Sequence, residues 1–156
     1  MNLDNLRRAA PADADAIRAL VTSAYAKWIP LIGRKPKPML ADYDAAVRDH
    51  VVWLLESWLP KETGDLIALL ELVPQGDHLL IENIAVSPDY QRRKLGSELM
   101  AFAETQAREL GLPEMRLYTN ERFTGNIALY TRLGYTETHR QPLEGSDVVF
   151  MTKHLE

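Results

Sequence analysis

The sequence predicts a single-domain α/β (α+β) fold in which a mixed sheet is flanked by helices, and three observations predict it. The chain has 156 residues, 46% hydrophobic and 26% charged, which is enough apolar material for one compact domain with a real core. Three segments with strand-like patterning follow one another at 51–56, 66–73 and 78–86, separated by turn residues, and this is the signature of an antiparallel meander. Beyond them helical and strand-like segments alternate, which calls for helical crossovers onto the same sheet.

Taken in order, Asn5–Ala9 reads as a short strand. Pro11 then introduces a helix from Asp13 to about Lys27, with Ile17, Leu20, Val21 and Ala24 on one face and Asp13 as its cap. From Trp28 to Asp44 the periodicity is broken by Pro30, Gly33, Pro36 and Pro38, and the segment carries Arg34, Lys35 and Lys37. It reads as an irregular lobe that covers something and ends in a short helix near Ala41–Val47. The meander strands are Val51–Glu56, Leu66–Val73 and His78–Val86, with turns from Gly64 and from Pro74. Leu95, Leu99, Phe102, Ala103 and Leu110 recur at helical spacing and place a helix from Leu95 to about Gly111. A strand at Met115–Asn120, a helix at Gly125–Leu133 and strands at Tyr135–Arg140 and Val148–Lys153 complete the domain. No internal repeat or low-complexity tail interrupts it.

Composition narrows the function classes. A formal charge of −4 argues against a nucleic-acid binder. The absence of cysteine excludes disulfides, thiolate zinc sites and a covalent thioester on an enzyme cysteine. His50, His78, His139 and His154 show no ligand spacing, so no metal is expected. No leader-like apolar segment and no apolar run near the ~20 residues that span a bilayer is present, which predicts a soluble, cytoplasmic protein without membrane partners.

Gln91–Ser97, QRRKLGS, poses a problem of charge. Arg92, Arg93 and Lys94 stand where a helix starts, and a helix N-terminus disfavours each nearby cation by ~0.3–1 kcal/mol. A strand, a short loop and a helix start, as in Ile81–Met100, aim free backbone N–H groups at an anion, and a bound phosphate would turn these cations into partners. A solvated basic turn is the simpler alternative, and the loop alone does not decide between them.

Gln91-Arg92-Arg93-Lys94-Leu95-Gly96 resembles the pyrophosphate-loop signature of the GNAT acyltransferase superfamily, Gln/Arg-x-x-Gly-x-Gly/Ala. Asn126, Ala128, Tyr130, Gly134 and Tyr135 resemble its second signature, and the order of elements matches that family over essentially the whole chain. The resemblance implies a mixed, mostly antiparallel central sheet and acetyl-CoA as cofactor. It implies that the strand edge at Ile84, Ala85 and Val86 pairs with the pantetheine arm, that the segment from Arg92 through Leu95 and Gly96 to Ser97 holds the pyrophosphate, and that Asn126 contacts the cofactor farther along. One residue departs from the pattern. Lys94 stands where the first glycine is usual, so either the loop keeps φ negative or its geometry has shifted.

The chemistry this implies is acetyl transfer to an amine, and without cysteine direct attack in a ternary complex is the simpler route. Tyr130 stands where the family places the acid that protonates the departing thiolate, and its alternative role is a core contact. The backbone N–H of Val86 corresponds to the family's oxyanion donor, where the strand bulges. Glu82 is the candidate base, on the face of Ile84 and Val86 if the strand period is regular, with Asn120 and Glu121 behind it and a purely structural role as the alternative. Tyr25, Trp28 and Tyr43 flank the lobe and offer aromatic walls for an amine. The acceptor is expected to be a small-molecule amine. A protein or peptide acetyltransferase and a non-catalytic acyl-CoA-binding module are the rivals, and a homodimer through the last strands is an arrangement the fold permits.

Overall fold

In the computed structural model residues 3–57, 65–91 and 94–156 are described, and the turn expected at Gly64 lies outside them, as do Trp58, Arg92 and Arg93. Strands β1 (Leu6–Arg8), β2 (Val51–Glu56), β3 (Leu66–Pro74), β4 (Leu79–Val86), β5 (Glu114–Asn120), β6 (Thr136–Leu143) and β7 (Ser146–His154) form one seven-stranded sheet in the order β1-β2-β3-β4-β5-β7-β6. Every pairing is antiparallel except β4 with β5. That single parallel pair follows from the crossover through helix α4 (Leu95–Glu109), since a parallel strand needs a long crossover connection and a helix is the usual one.

Two layers of helix cover the sheet, and strand alternation sorts the core between them. Helices α1 (Ala14–Tyr25) and α3 (Tyr43–Asp49) bury Ile17, Leu20, Val21 and Tyr43 against Val52, Leu54, Leu69 and Ala85 on one face. On the other face, α4 and helix α5 (Thr124–Arg132) bury Leu95, Leu99, Met100 and Tyr130 against Leu70, Leu72, Ile81, Leu117 and Met151. A fully buried leucine such as Leu99 contributes roughly 1.5–3 kcal/mol relative to leaving it exposed. Leu110 is the member of the helical stripe that stays 56% exposed, because α4 ends at Glu109 and the chain turns away through Gly111 at φ +72°.

Two local expectations are corrected. Asp13 stands at the N-cap of α1, but its side chain makes no capping bond: it closes a 3₁₀ turn at Pro11–Asp13, accepts the Ala10 N–H at 2.7 Å and takes a paired contact from Arg7. The last two strands run longer than their patterning suggests and meet in a two-residue turn at Glu144 and Gly145, both at positive φ (47° and 92°). Two successive positive φ angles match the twist of a tight hairpin, so the strands stay paired to the turn. The lobe resolves into a short helix α2 (Ile29–Ile32), a 3₁₀ turn at Lys37–Leu40 and α3, whose N-cap Asp42 accepts the Ala45 N–H at 3.1 Å.

Candidate active site

The site begins with a fork in the sheet. Strands β4 and β5 pair only over Leu79–Ile81 with Met115–Leu117, and beyond that point they part. Between β3 and β4 the register jumps, with Leu72 opposite Ile81 and Glu71 opposite Asn83, so Glu82 is an extra residue in a β-bulge that bends the strand. Past the bulge, Ser87 N–H donates to Ile67 O at 2.8 Å, which makes that a hydrogen-bonded pair. By antiparallel alternation Ile84 and Val86 then turn their N–H and C=O groups away from β3 and into the fork. Two contacts agree: Val86 O accepts from Gln91 Nε2 at 3.0 Å, and the Tyr25 hydroxyl lies 3.2 Å from Ile84 O.

This geometry corrects two expectations. The bulge lies at Glu82, not at Val86, and the Val86 amide faces the fork by alternation alone. Nor does Glu82 share a face with Ile84 and Val86. Ile81 packs into the layer beneath α4 before the bulge, and Ile84 and Val86 do so after it, so one extra residue has shifted the odd–even pattern. Glu82 consequently points to the opposite side, where its Oε1 accepts the Tyr118 hydroxyl at 2.6 Å.

A long cavity of about 520 Å³ runs from the fork past the start of α4 to α5. Its lining brings together all the described residues expected to hold the cofactor: Ile84, Ala85, Val86, Gln91, Lys94, Leu95, Gly96, Ser97, Asn126 and Tyr130. Lys94 is the N-cap of α4 and its own side chain makes no capping bond, and Lys94, Leu95, Gly96 and Ser97 at the helix start line the cavity. Its backbone sits at φ 64°, ψ 13°. The loop has thus kept the left-handed conformation for which glycine is suited, and the lysine carries a cost of roughly 1–2 kcal/mol there. Gly96 differs. It has no left-handed φ, and a Cβ added to it would meet Leu129 Cδ2 at 3.8 Å, an ordinary contact, so neither backbone nor packing demands glycine there.

Helix α5 supplies the far wall, and its end fixes Tyr130. Tyr135 N–H donates to Tyr130 O at 3.0 Å and Gly134 N–H to Thr131 O at 3.1 Å, the paired bonds of a Schellman motif with Gly134 at φ +98°. Tyr135 then packs into the core 6.2 Å from the Tyr130 ring, so the Gly-Tyr pair after the helix clamps Tyr130 from behind. Burial pushes the Tyr130 hydroxyl up to about 12, and it stays protonated throughout the neutral range.

A second, smaller cavity of about 90 Å³ lies on the other side of Tyr130, under the lobe. It is lined by Glu82, Asn83, Tyr118 and Phe123 from the body and by Ile32, Arg34, Lys37 and Pro38 from the lobe. Tyr25, Ile84, Asn126 and Tyr130 line both cavities and form the boundary between them. The lobe is tied down from several directions. Arg122 Nη1 donates to Leu31 O at 2.9 Å, Arg34 pairs with Glu144 at 3.2 Å, and Trp28 stacks on Phe123 with centroids 4.4 Å apart. Within it, the Tyr43 hydroxyl donates to Pro38 O (2.6 Å), Asn83 Nδ2 to Tyr43 Oη (3.0 Å) and the Tyr25 hydroxyl to Asn83 Oδ1 (2.7 Å). Of the aromatics expected as walls, Tyr25 lines both cavities with its hydroxyl engaged, Trp28 lines the long cavity while stacked on Phe123, and Tyr43 lines neither.

Sequence reasoning passed over several lining residues. Lys27 and Arg132 face the long cavity, and Lys27 Nζ donates to Gln91 Oε1 at 2.9 Å. Gly125, Leu129 and Arg132 lie on one helical face, a spacing that could have shown Arg132 beside Asn126. Tyr118 could be found only through the bulge. Glu121 accepts the Asp147 N–H at 2.6 Å and Asn120 donates to Ser146 Oγ at 2.9 Å, so both hold the hairpin turn in place. Among the described residues no group of three or more potential ligands is placed to hold a metal ion, and no helix is long and apolar enough to cross a membrane.

Comparison with known proteins meets the same elements. The Acetyltransferase (GNAT) family profile matches residues 17–135, from α1 through the Gly-Tyr clamp. The chain belongs to the GNAT acetyltransferase family. Among relatives, it is 36% identical over 59 residues to the aminoalkylphosphonate N-acetyltransferase of Salmonella typhimurium, a match spanning 38% of this chain and 38% of that protein's length. The GNAT fold is equally clear in solved structures. The ribosomal-protein-S18-alanine N-acetyltransferase of Escherichia coli superposes with a TM-score of 0.73 at 20% identity, covering 96% of this chain and 92% of that one. The PaiA N-acetyltransferase of Thermoplasma acidophilum, solved in complex with coenzyme A, does so with a TM-score of 0.70 at 17% identity, covering 96% and 97%.

Proposed function

We propose that this GNAT protein transfers an acetyl group from acetyl-CoA directly to the primary amine of a small molecule. The observation that carries the reading is the meeting of two cavities at Tyr130, one long and edged by the outward-facing backbone of β4, the other short and roofed by a tied-down lobe. The long cavity suits coenzyme A. The N-terminal end of α4 and the cations Lys27, Lys94 and Arg132 suit its phosphates, and the outward edge of Ile84–Val86 suits an amide-bearing arm.

Bound acetyl-CoA supplies a thioester carbonyl for attack and a thiolate as leaving group. The chain's residues then have distinct tasks. The Val86 N–H donates to the carbonyl oxygen as charge builds on it. Tyr130 gives its hydroxyl proton to the departing sulfur and regains one from solvent. Glu82 takes the proton that the amine loses, with Tyr118 holding the carboxylate by its 2.6 Å hydrogen bond. Burial and the bond to Glu82 push the Tyr118 hydroxyl well above its usual range, so it remains a donor.

Closure of the lobe favours a small acceptor over a protein chain, which would need an open groove. The relative named for aminoalkylphosphonates supports the same side of that choice. Incubation with acetyl-CoA and a panel of short primary amines, with peptides as a second arm, tests it by release of coenzyme A thiol. Turnover of small amines above peptides is expected. Turnover of peptides alone would reverse the acceptor class, and binding of acetyl-CoA without release in either arm would leave a binding module.

A further inference from the structure

We propose that the acceptor is an amine that also carries an anionic group, a carboxylate or a phosphonate, and that Lys37 is the residue that selects it. The inference rests on the acetyltransferase reading above and concerns the charges that face the short cavity. From β4 there is one carboxylate, Glu82, and from the lobe there are two cations, Arg34 and Lys37. Arg34 is already engaged: its Nε faces Glu144 at 3.2 Å and its Nη2 donates to Leu143 O at 3.4 Å, which ties the lobe to the β6–β7 turn. Lys37 has no carboxylate within ion-pair distance among the described residues. Its Nζ instead lies 3.3 Å from the Tyr118 hydroxyl and 5.0 Å from the centre of the Tyr118 ring.

Tyr118 makes this placement specific. Its hydroxyl gives its proton to Glu82, so its oxygen is the acceptor for Lys37, and a chain runs from Lys37 through Tyr118 to Glu82. An ammonium and a carboxylate thereby meet at one phenol oxygen, 3.3 Å and 2.6 Å from it, and face one cavity. The arrangement mirrors a short zwitterion, with its amine toward Glu82 and its anion toward Lys37. A plain alkylamine would bring a cation beside two others and leave Lys37 without a counter-charge. The placement is also rigid, since Pro36 and Pro38 fix the backbone on either side of Lys37 and the Tyr43 hydroxyl holds Pro38 O at 2.6 Å. The same cavity is also lined by the apolar side chains of Ile32, Phe123 and Leu143, which suit an alkyl spacer.

The test compares 2-aminoethylphosphonate, 3-aminopropanoate and the uncharged 3-aminopropanamide as acceptors, in the wild type and in Lys37→Met. The readout is the ratio of kcat/KM for each anionic acceptor to that for the neutral one, in which any effect of the substitution on shared chemistry cancels. The wild type should prefer at least one anionic acceptor by ten- to hundred-fold, roughly what one charge-assisted hydrogen bond supplies. Lys37→Met should bring that ratio close to one. The two anionic arms separate carboxylate from phosphonate as the group recognised. Equal kcat/KM for anionic and neutral acceptors in the wild type, or an unchanged preference in Lys37→Met, would overturn the proposal. Should no amine release thiol, the acetyltransferase reading fails separately. Titration of the same three compounds onto protein saturated with coenzyme A then decides this proposal by the same ratios in affinity.

Discussion

The two cavities that meet at Tyr130 are built in different ways. Most of the wall of the long cavity comes from two local stretches, 84–91 with 94–97 and 125–132, joined by Ala24, Tyr25, Lys27 and Trp28 at and just after the end of α1. The short cavity is assembled from α1, the lobe, a bulge in β4, the middle of β5 and the turn between β6 and β7, segments scattered over most of the chain. A site made of local geometry leaves a readable motif, because helix starts, strand edges and C-terminal glycines have compositional requirements of their own. A site made of distant side chains leaves almost none. On the proposed function, the shared part of the chemistry sits where sequence is informative, and acceptor choice sits where it is not.

The sharpest way to break this division is at its boundary. Replacing Tyr130 by Phe keeps the ring in its Schellman-clamped place and removes the proton donor, so kcat should fall by ~10²-fold or more while acetyl-CoA affinity changes little. An unchanged kcat with chemistry limiting the rate would reduce Tyr130 to a packing residue. On the acceptor side, Glu82→Gln should lower kcat/KM by ~10–10²-fold and shift or remove the acidic limb of its pH profile. Persistence of that limb at its wild-type position would assign it to the amine's own ionisation or to another base.

Lys94 offers a smaller effect confined to the cofactor side. Lys94→Glu replaces attraction by repulsion and should weaken coenzyme A binding by roughly three- to thirty-fold, less at high salt, without altering acceptor preference. Lys94→Gly sharpens the comparison further, since it removes one charge but also relieves a backbone at φ 64°. The free protein should gain about 1 kcal/mol of stability from that relief, visible as a higher melting temperature. A lower melting temperature would mean that the left-handed conformation costs the lysine nothing.

The smallest effect belongs to a pair outside both cavities and serves as a reference for stability measurements. Arg7 bonds both oxygens of Asp13 at 2.9 Å and also bonds Glu56, and these contacts hold the Asp13 carboxyl below its usual range. A depressed folded-state pKa means stability that is present above the unfolded value near 3.9 and is lost as pH falls through the folded value. In this partly exposed setting it amounts to at most about 1 kcal/mol. Asp13→Asn should therefore lower the melting temperature by a few degrees at pH 7 and by less near pH 3. An equal loss at both would point to the Ala10 N–H contact instead of the ion pair.

What the sequence reveals follows the same line. The strand order through the meander, the crossover at α4 and the helix carrying Tyr130 are legible, because each rests on local periodicity and on turn residues such as Pro11, Gly111 and Gly134. Three features resist such reading for physical reasons. The bulge at Glu82 inserts one residue without a glycine or proline to mark it, so alternation counted back from Ile84 and Val86 assigns that side chain to the wrong face. Glu144-Gly145 forms a tight hairpin turn with a glutamate at φ 47°, where asparagine or aspartate is the usual sign, and the flanking strands look shorter than they are. The lobe follows no period at all, since its conformation is set by hydroxyls and guanidinium groups reaching carbonyls elsewhere in the chain.

The central claim is that both cavities deliver their contents to Tyr130, and a crystal structure of the protein with coenzyme A tests it most directly. The account predicts the pantetheine arm along the Ile84–Val86 edge within the fork, with the thiol sulfur ~3–3.5 Å from the Tyr130 hydroxyl and the short cavity open on the far side of that sulfur. A cofactor bound outside the fork, or a thiol directed away from Tyr130 with no path to the cavity lined by Glu82 and Lys37, would contradict it.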